Sequence, residues 1–205
     1  HRTLSGKRCI VLHHRANHPC RRRNVVIREN FHIFTGGPGA GKTSVLEALR
    51  ERGFACVEES GRKIIREQAA IGGNIHHNGD RIAYRDLMLA RAVEDFAQLS
   101  ANEGPVFFDR GIPDLAGYCR LIGSEIPQAL RDAAKTCRYN RDVFVFPPWR
   151  EIYANDAERK QDFQEAIDTF NVIVETLPEF GYRSIEVPHA SVALRVRFIL
   201  DHIGS

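Results

Sequence analysis

The sequence predicts an α/β fold, a five-stranded parallel sheet with helices on both faces and a ligand site at the carboxyl ends of its strands. Three observations predict it. Residues 36–43 read Gly-Gly-Pro-Gly-Ala-Gly-Lys-Thr, a complete G-x-x-x-x-G-K-T phosphate-binding loop. From Phe31 onward, short apolar runs alternate with longer amphipathic ones, the pattern of successive βαβ units. Gly53, Gly104 and Gly181 each fall between a helical stretch and the next apolar run, where a left-handed C-cap belongs.

The elements follow in chain order. Asn30–Thr35 is the first strand, and the glycine loop carries it into a helix over Lys42–Arg52. Phe54–Glu58 is a second strand, followed by a helix over Gly61–Ile71. The polar segment Gly72–Gly79 reads as a mobile connector to a long helix over Arg81–Ser100. Pro105–Asp109 is the third strand, with helices expected at Pro113–Ile122 and Pro127–Tyr139. Asp142–Phe146 and Tyr182–Val187 supply the last two strands, with a helix over Ala157–Phe180 between them and one over Ser191–Ile203 after them.

The loop carries the chemistry. Its glycines let consecutive N–H groups turn toward a phosphate chain, and the following helix adds the positive end of its dipole. Gly36, Gly37, Pro38, Gly39, Ala40, Gly41, Lys42, Thr43 and Ser44 are therefore the expected nucleotide ligands. Lys42 would reach the β- and γ-phosphates and the Thr43 hydroxyl would ligate Mg²⁺. Val106-Phe107-Phe108-Asp109 is an apolar strand ending in a carboxylate, so Asp109 is the second expected Mg²⁺ ligand. The expected cofactors are ATP, with GTP not excluded, and Mg²⁺.

Further candidates cluster at strand ends. Glu58 and Glu59 close the second strand and alternate in direction, so one of them faces the ligand crevice. Glu58 or Asp109 is the expected proton acceptor, with Glu59, Arg62, Arg81, Arg85 and Arg110 as weaker candidates for holding an acceptor molecule. Arg150, Arg159 and Lys160 lie on the segment leaving the fourth strand, which reads as a lid over the phosphates, with Arg150 and Arg159 neutralising transferred charge.

Composition adds exclusions. The chain has 205 residues, enough for one domain with a sizeable core, and no apolar run long enough to span a membrane. Five scattered cysteines do not form a disulfide framework, which fits a cytoplasmic location. Residues 1–30 hold eight Lys/Arg against Glu29 alone, so this segment carries +7 of a chain total of +3 and residues 31–205 carry −4. No nucleic-acid partner is expected from a basic balance confined to the leader. The leader reads as a disordered or non-native extension, with a zinc site on Cys9, His13, His14, His18 and Cys20 or an organelle transit segment as alternatives.

Phe34–Thr43, Phe107–Asp114 and Pro147–Tyr153, together with the Asp156–Phe163 run, resemble the bacterial family of predicted AAA-type ATPases, which is similar to the kinase domain of nicotinamide riboside kinases. The resemblance spans nearly all of 31–205 and none of 1–30. It implies a P-loop NTPase fold of the nucleoside and nucleotide kinase type, with strand order 2-3-1-4-5. The expected activity is transfer of a γ-phosphoryl group to a small, nucleoside-like acceptor. A nucleotide-dependent switch with slow ATP or GTP hydrolysis, acting on a protein or lipid partner, is the alternative.

Overall fold

The computed structural model describes residues 25–153 and 163–204. In chain order the elements are β1 (Val26–Ile27), β2 (Phe31–Gly36), α1 (Lys42–Glu51), β3 (Ala55–Val57), α2 (Ser60–Ile71), α3 (Arg81–Gln98), β4 (Val106–Asp109), α4 (Ile112–Leu121), α5 (Gln128–Thr136), β5 (Cys137–Arg138), β6 (Asp142–Phe146), α6 (Phe163–Thr176), β7 (Arg183–Glu186) and α7 (Val192–Ile203). Short 3₁₀ turns at Leu99–Ala101 and Leu177–Phe180 extend α3 and α6.

The main sheet has five parallel strands in the order β3-β4-β2-β6-β7, and counted within that sheet the order is 2-3-1-4-5. The central strand β2 is buried along its whole length. Its side chains alternate between two cores, as a strand covered on both faces requires. Phe31 and Ile33 join Val106, Phe108, Val143 and Val145 under α3, α4 and α5. Phe34 points the other way, into Phe107, Phe144 and Phe146 beneath α1 and α7. Three of these rings pack on Phe34 with centroids 5.2–5.7 Å away, the spacing of favourable tilted and edge contacts.

Helix ends have local causes. Asp80 caps α3 by accepting from the Ala83 N–H at 2.9 Å, and Ser191 caps α7 through Leu194. Gly72 ends α2 with φ 67°, and Gly53 and Gly181 take φ 90° and 79° as their positions suggest. Gly104 does not adopt a positive φ. The chain leaves α3 through the 3₁₀ turn instead, and the Gly104 carbonyl is fixed by the Asn30 and Asn102 amides at 2.8 and 2.9 Å.

Three expectations are corrected. The helix expected over Pro127–Tyr139 stops at Thr136, because Cys137 and Arg138 become extended to pair with Val26 and Ile27. No local pattern announces that pairing. The helix expected over Ala157–Phe180 is described from Phe163, and its last four residues tighten to 3₁₀ where Pro178 removes a donor. Residues 25–30, assigned by charge to the extension, are stitched to the domain. Arg28 N donates to the Arg138 carbonyl at 2.8 Å, and the Asn140 amide donates to the Glu29 carbonyl at 2.6 Å. The cysteine–histidine cluster at 9–20, Arg159 and Lys160 lie outside the described residues. Among the described residues, Cys56, Cys119 and Cys137 are free thiols, and no helix is long and apolar enough to cross a membrane.

Candidate functional site

The loop between β2 and α1 lies at the carboxyl end of the central strand. Gly36 takes φ 131°, and a Cβ there would overlap the Phe146 carbonyl of the neighbouring strand, so only glycine fits. Gly41 takes φ 79° against the Arg195 guanidinium, where a Cβ would stand 2.8 Å from Nη1. Lys42 is buried and folds back over its own loop, donating to the Gly37 carbonyl at 2.8 Å. The loop thus presents backbone N–H groups and one ammonium to a cavity of about 320 Å³.

Gly39, Ala40, Gly41, Lys42, Thr43 and Ser44 line that cavity, and so does Asp109 from the end of β4. The two residues expected to hold Mg²⁺, Thr43 and Asp109, therefore share one wall-to-wall space. A hydroxyl and a carboxylate suit a cation that takes its remaining ligands from phosphates and water. Among the described residues, no group of three or more His, Cys, Asp or Glu forms a metal site made of protein alone.

A second cavity, of about 700 Å³, opens beside the first. Its apolar lining comes from Met88 of α3, Leu115 of α4 and Ile173 of α6. Tyr84 and Tyr118 also line it and pack on each other edge to face, with centroids 5.9 Å apart. The Tyr118 hydroxyl is buried with no hydrogen-bond partner, and burial pushes its pKa up to about 12. Glu165 and Asp168 of α6 add carboxylates at the rim. His77 and Asn78, from the 72–80 connector, close one side; that connector is a turn held by Asp80 N donating to the Asn74 carbonyl at 2.7 Å.

Glu59 and Arg62 line both cavities. Glu59 is held by Arg110 Nε at 3.1 Å and by Arg62 at 3.5 Å. Arg110 is the hub of this partition. Its Nη2 donates to the Gly36 carbonyl at 3.1 Å, and its Nη1 lies 3.5 Å from Asp114. It is also the only non-glycine residue with positive φ, 70°, among the described residues. That conformation costs on the order of 1–3 kcal/mol and persists only where surroundings enforce it. Burial acts against the Arg110 charge, but Glu59, Asp114 and Asp109 outweigh it and hold the guanidinium above its ordinary value. Asp114, buried at the start of α4, also accepts from the Thr35 hydroxyl and from the Gly111 N–H at 2.9 Å.

The sequence-derived candidates separate cleanly. Of the acceptor-side set, Glu59, Arg62, Arg81 and Arg110 line the larger cavity. Arg85 does not; it is buried in α3 and turned onto Asp86, with Nη2 2.7 Å from Oδ1. Glu58 lines neither cavity. It is exposed on the other side of the strand end, 3.4 Å from Arg50, as strand alternation demands once Glu59 faces inward. Arg150 is exposed, with its guanidinium over the Phe163 ring at 4.8 Å and outside both cavities. His189 stacks on Trp149, centroids 5.0 Å apart and planes at 7°. Asp114 and Arg195 were not among the candidates. Asp114 could have been found from Pro113 followed by an acid at the third helical position, whereas Arg195 is an unremarked cation on an amphipathic helix.

A family model described as an AAA domain matches residues 31–195. The chain belongs to that family. No curated protein matches it. Solved structures do. A NadR protein in complex with NR shares 18% identity at TM-score 0.65, over 85% of this chain and 52% of that one. NadR with NAD and AMP-PNP shares 17% at TM-score 0.58, over 85% and 49%. Thymidylate kinase from Ehrlichia chaffeensis shares 14% at TM-score 0.58, over 84% and 97%. This chain spans about half the length of the NadR chains. At these identities the likeness establishes a P-loop kinase-type fold.

Proposed function

We propose that this AAA-domain protein is a phosphotransferase that moves the γ-phosphoryl of Mg-ATP to a small, nucleoside-like acceptor. The observation that carries the reading is the pair of adjoining cavities that meet at Glu59 and Arg62. A hydrolase or switch needs only the first. A transferase needs a second compartment opening toward the end of the phosphate chain, and about 700 Å³ is ample for a small molecule.

In this reading the loop N–H groups and Lys42 seat the phosphates. Thr43 and Asp109 would hold Mg²⁺, which would neutralise charge on the β- and γ-phosphates. Tyr84, Tyr118 and Met88 give one wall of the larger cavity an apolar, aromatic surface on which a flat ring could pack. Glu59, in place of Glu58, orients the acceptor hydroxyl and takes its proton as the new P–O bond forms. Arg62 and Arg110 fix that carboxylate and present positive charge toward the transferred group. The NadR and thymidylate kinase neighbours support such an acceptor through their fold. Their names place riboside- and nucleotide-type ligands with related folds, and it is in that sense that they support the reading.

The test is γ-labelled ATP with Mg²⁺ and a mixed pool of nucleosides and small metabolites, with Lys42→Ala as the blank. Label in a new phosphorylated species, absent from the blank, supports the transferase and identifies the acceptor. Label found only as free phosphate, or remaining in ATP, overturns it in favour of a nucleotide-dependent switch.

A further inference from the structure

One buried charge in the nucleotide cavity has no counter-charge among the described residues. Arg195, on the first turn of α7, is 4% exposed and lines the cavity beside the loop. Its Nη1 donates to the Ala40 carbonyl at 3.2 Å, and its Nε is buried without a hydrogen-bond partner. The guanidinium lies over the face of Trp149, 5.4 Å from the ring centroid. Burial lowers its pKa from the ordinary arginine value, and among the described residues no carboxylate acts in the other direction.

Each of these contacts is favourable for a cation, yet neither a carbonyl nor an aromatic face neutralises it. Buried arginines are ordinarily paired with a carboxylate, because an isolated buried charge costs several kcal/mol. Arg110 in the same site shows the ordinary arrangement, with Glu59 and Asp114 around it. Arg195 lies instead against the backbone of Gly41, in the part of the loop that cradles phosphate, and leaves a donor uncommitted.

We propose that Arg195 is a second phosphate-binding cation of this site, whose charge is completed by the anionic oxygens of a bound nucleoside di- or triphosphate. The assignment rests on the nucleotide-binding reading of the cavity. Trp149 then serves as the platform that holds the guanidinium plane ready, and α7 becomes part of the phosphate site. A neutral base would leave the charge uncompensated, whereas a phosphate oxygen on the cavity side of the guanidinium supplies the counter-charge.

The experiment compares the intact chain with Arg195→Met, which removes the charge and keeps much of the volume. Affinities for adenosine, AMP, ADP and ATP are measured by calorimetry, alongside thermal unfolding without nucleotide. The expected result is binding of ADP and ATP weakened by roughly ten- to a hundredfold. Adenosine affinity stays the same and the unfolding temperature stays level or rises. In the intact chain ADP changes the fluorescence of Trp149, the single tryptophan, and in the variant this response is lost. Unchanged ADP and ATP affinity overturns the assignment. An equal loss for adenosine and ATP also overturns it, making the residue a packing or base contact. Failure of the intact chain to bind ADP and ATP overturns the nucleotide reading itself, and the assignment with it. Should Arg195→Met not fold, Arg195→Gln is read by the same criteria.

Discussion

The two cavities that meet at Glu59 are made of different materials. The nucleotide cavity takes half of its lining from one consecutive stretch, residues 39–44, with Glu59, Arg62, Asp109, Ile152, Val192 and Arg195 around it. The larger cavity is walled by side chains from α2, α3, α4 and α6, brought together from residues more than a hundred positions apart. A backbone cradle recognises what all nucleotides share. A side-chain slot recognises what distinguishes one small molecule from another. In the transferase proposed above, change in the second compartment would retune the acceptor while the first is left untouched.

Five measurements test whether the two cavities are separate compartments. The largest effect is expected at the shared wall: Glu59→Gln should lower transfer by about 10²–10⁴-fold while ATP affinity stays near that of the intact chain. An equal fall in both would mean that the compartments are not separable at this residue. Next is Arg110→Ala, which leaves Glu59 and Asp114 as insufficiently paired carboxylates and should cost about 3–5 kcal/mol in urea unfolding. A loss below about 1 kcal/mol would show that the partition is not held by this residue.

The third effect should leave both compartments alone. His32 lies on β2, 4% exposed, and burial lowers its pKa to about 4, with His202 adding to the shift and Asp142 opposing it. The unfolded chain binds this proton near pH 6.5 and the folded chain only near 4, so stability is full above 6.5 and falls as the pH drops through that window. The loss should approach about 3 kcal/mol. Urea midpoints from pH 7 to 4 should show that slope, and His32→Leu should remove it.

Fourth, Tyr84→Leu, which takes away one ring of the aromatic pair lining the larger cavity, should raise the acceptor KM several-fold, about 1 kcal/mol, and leave the ATP KM as it was. A change in the ATP KM instead would place the ring in the wrong compartment. Smallest is Glu58→Gln, on an exposed pair with Arg50, where activity and stability should stay within about 0.5 kcal/mol. A large loss there would reverse the assignment of the two neighbouring carboxylates.

The same division explains what could be read in the sequence. The phosphate loop is eight consecutive residues whose order is set by backbone geometry, so it was legible as a string. Asp109 followed from its place at the end of an apolar strand. The choice between Glu58 and Glu59 needed only the direction of one strand, yet alternation alone gives two answers, and packing on α1 selects between them. The larger cavity left partial traces, since Arg62, Arg81 and Arg110 stood near strand ends or helix starts. Arg85 shares the helix of Arg81 but points elsewhere, and the aromatic pair Tyr84 and Tyr118 was invisible because it is formed only when α3 meets α4. Arg195 was invisible for the same reason, since its place against Gly41 and over Trp149 exists only in the fold.

The pairing of β1 with β5 has a consequence for synthesis. Glu29 is bonded to Asn140, 111 positions later, and Val26 pairs with Cys137. At translation rates of 5–20 residues per second, the first strand waits on the order of ten seconds for its partner to be made. During that wait Val25, Val26 and Ile27 form an apolar segment with open hydrogen-bonding edges, and they stay partly exposed even in the finished fold. The nascent chain therefore carries this apolar stretch well ahead of the strand that will pair with it.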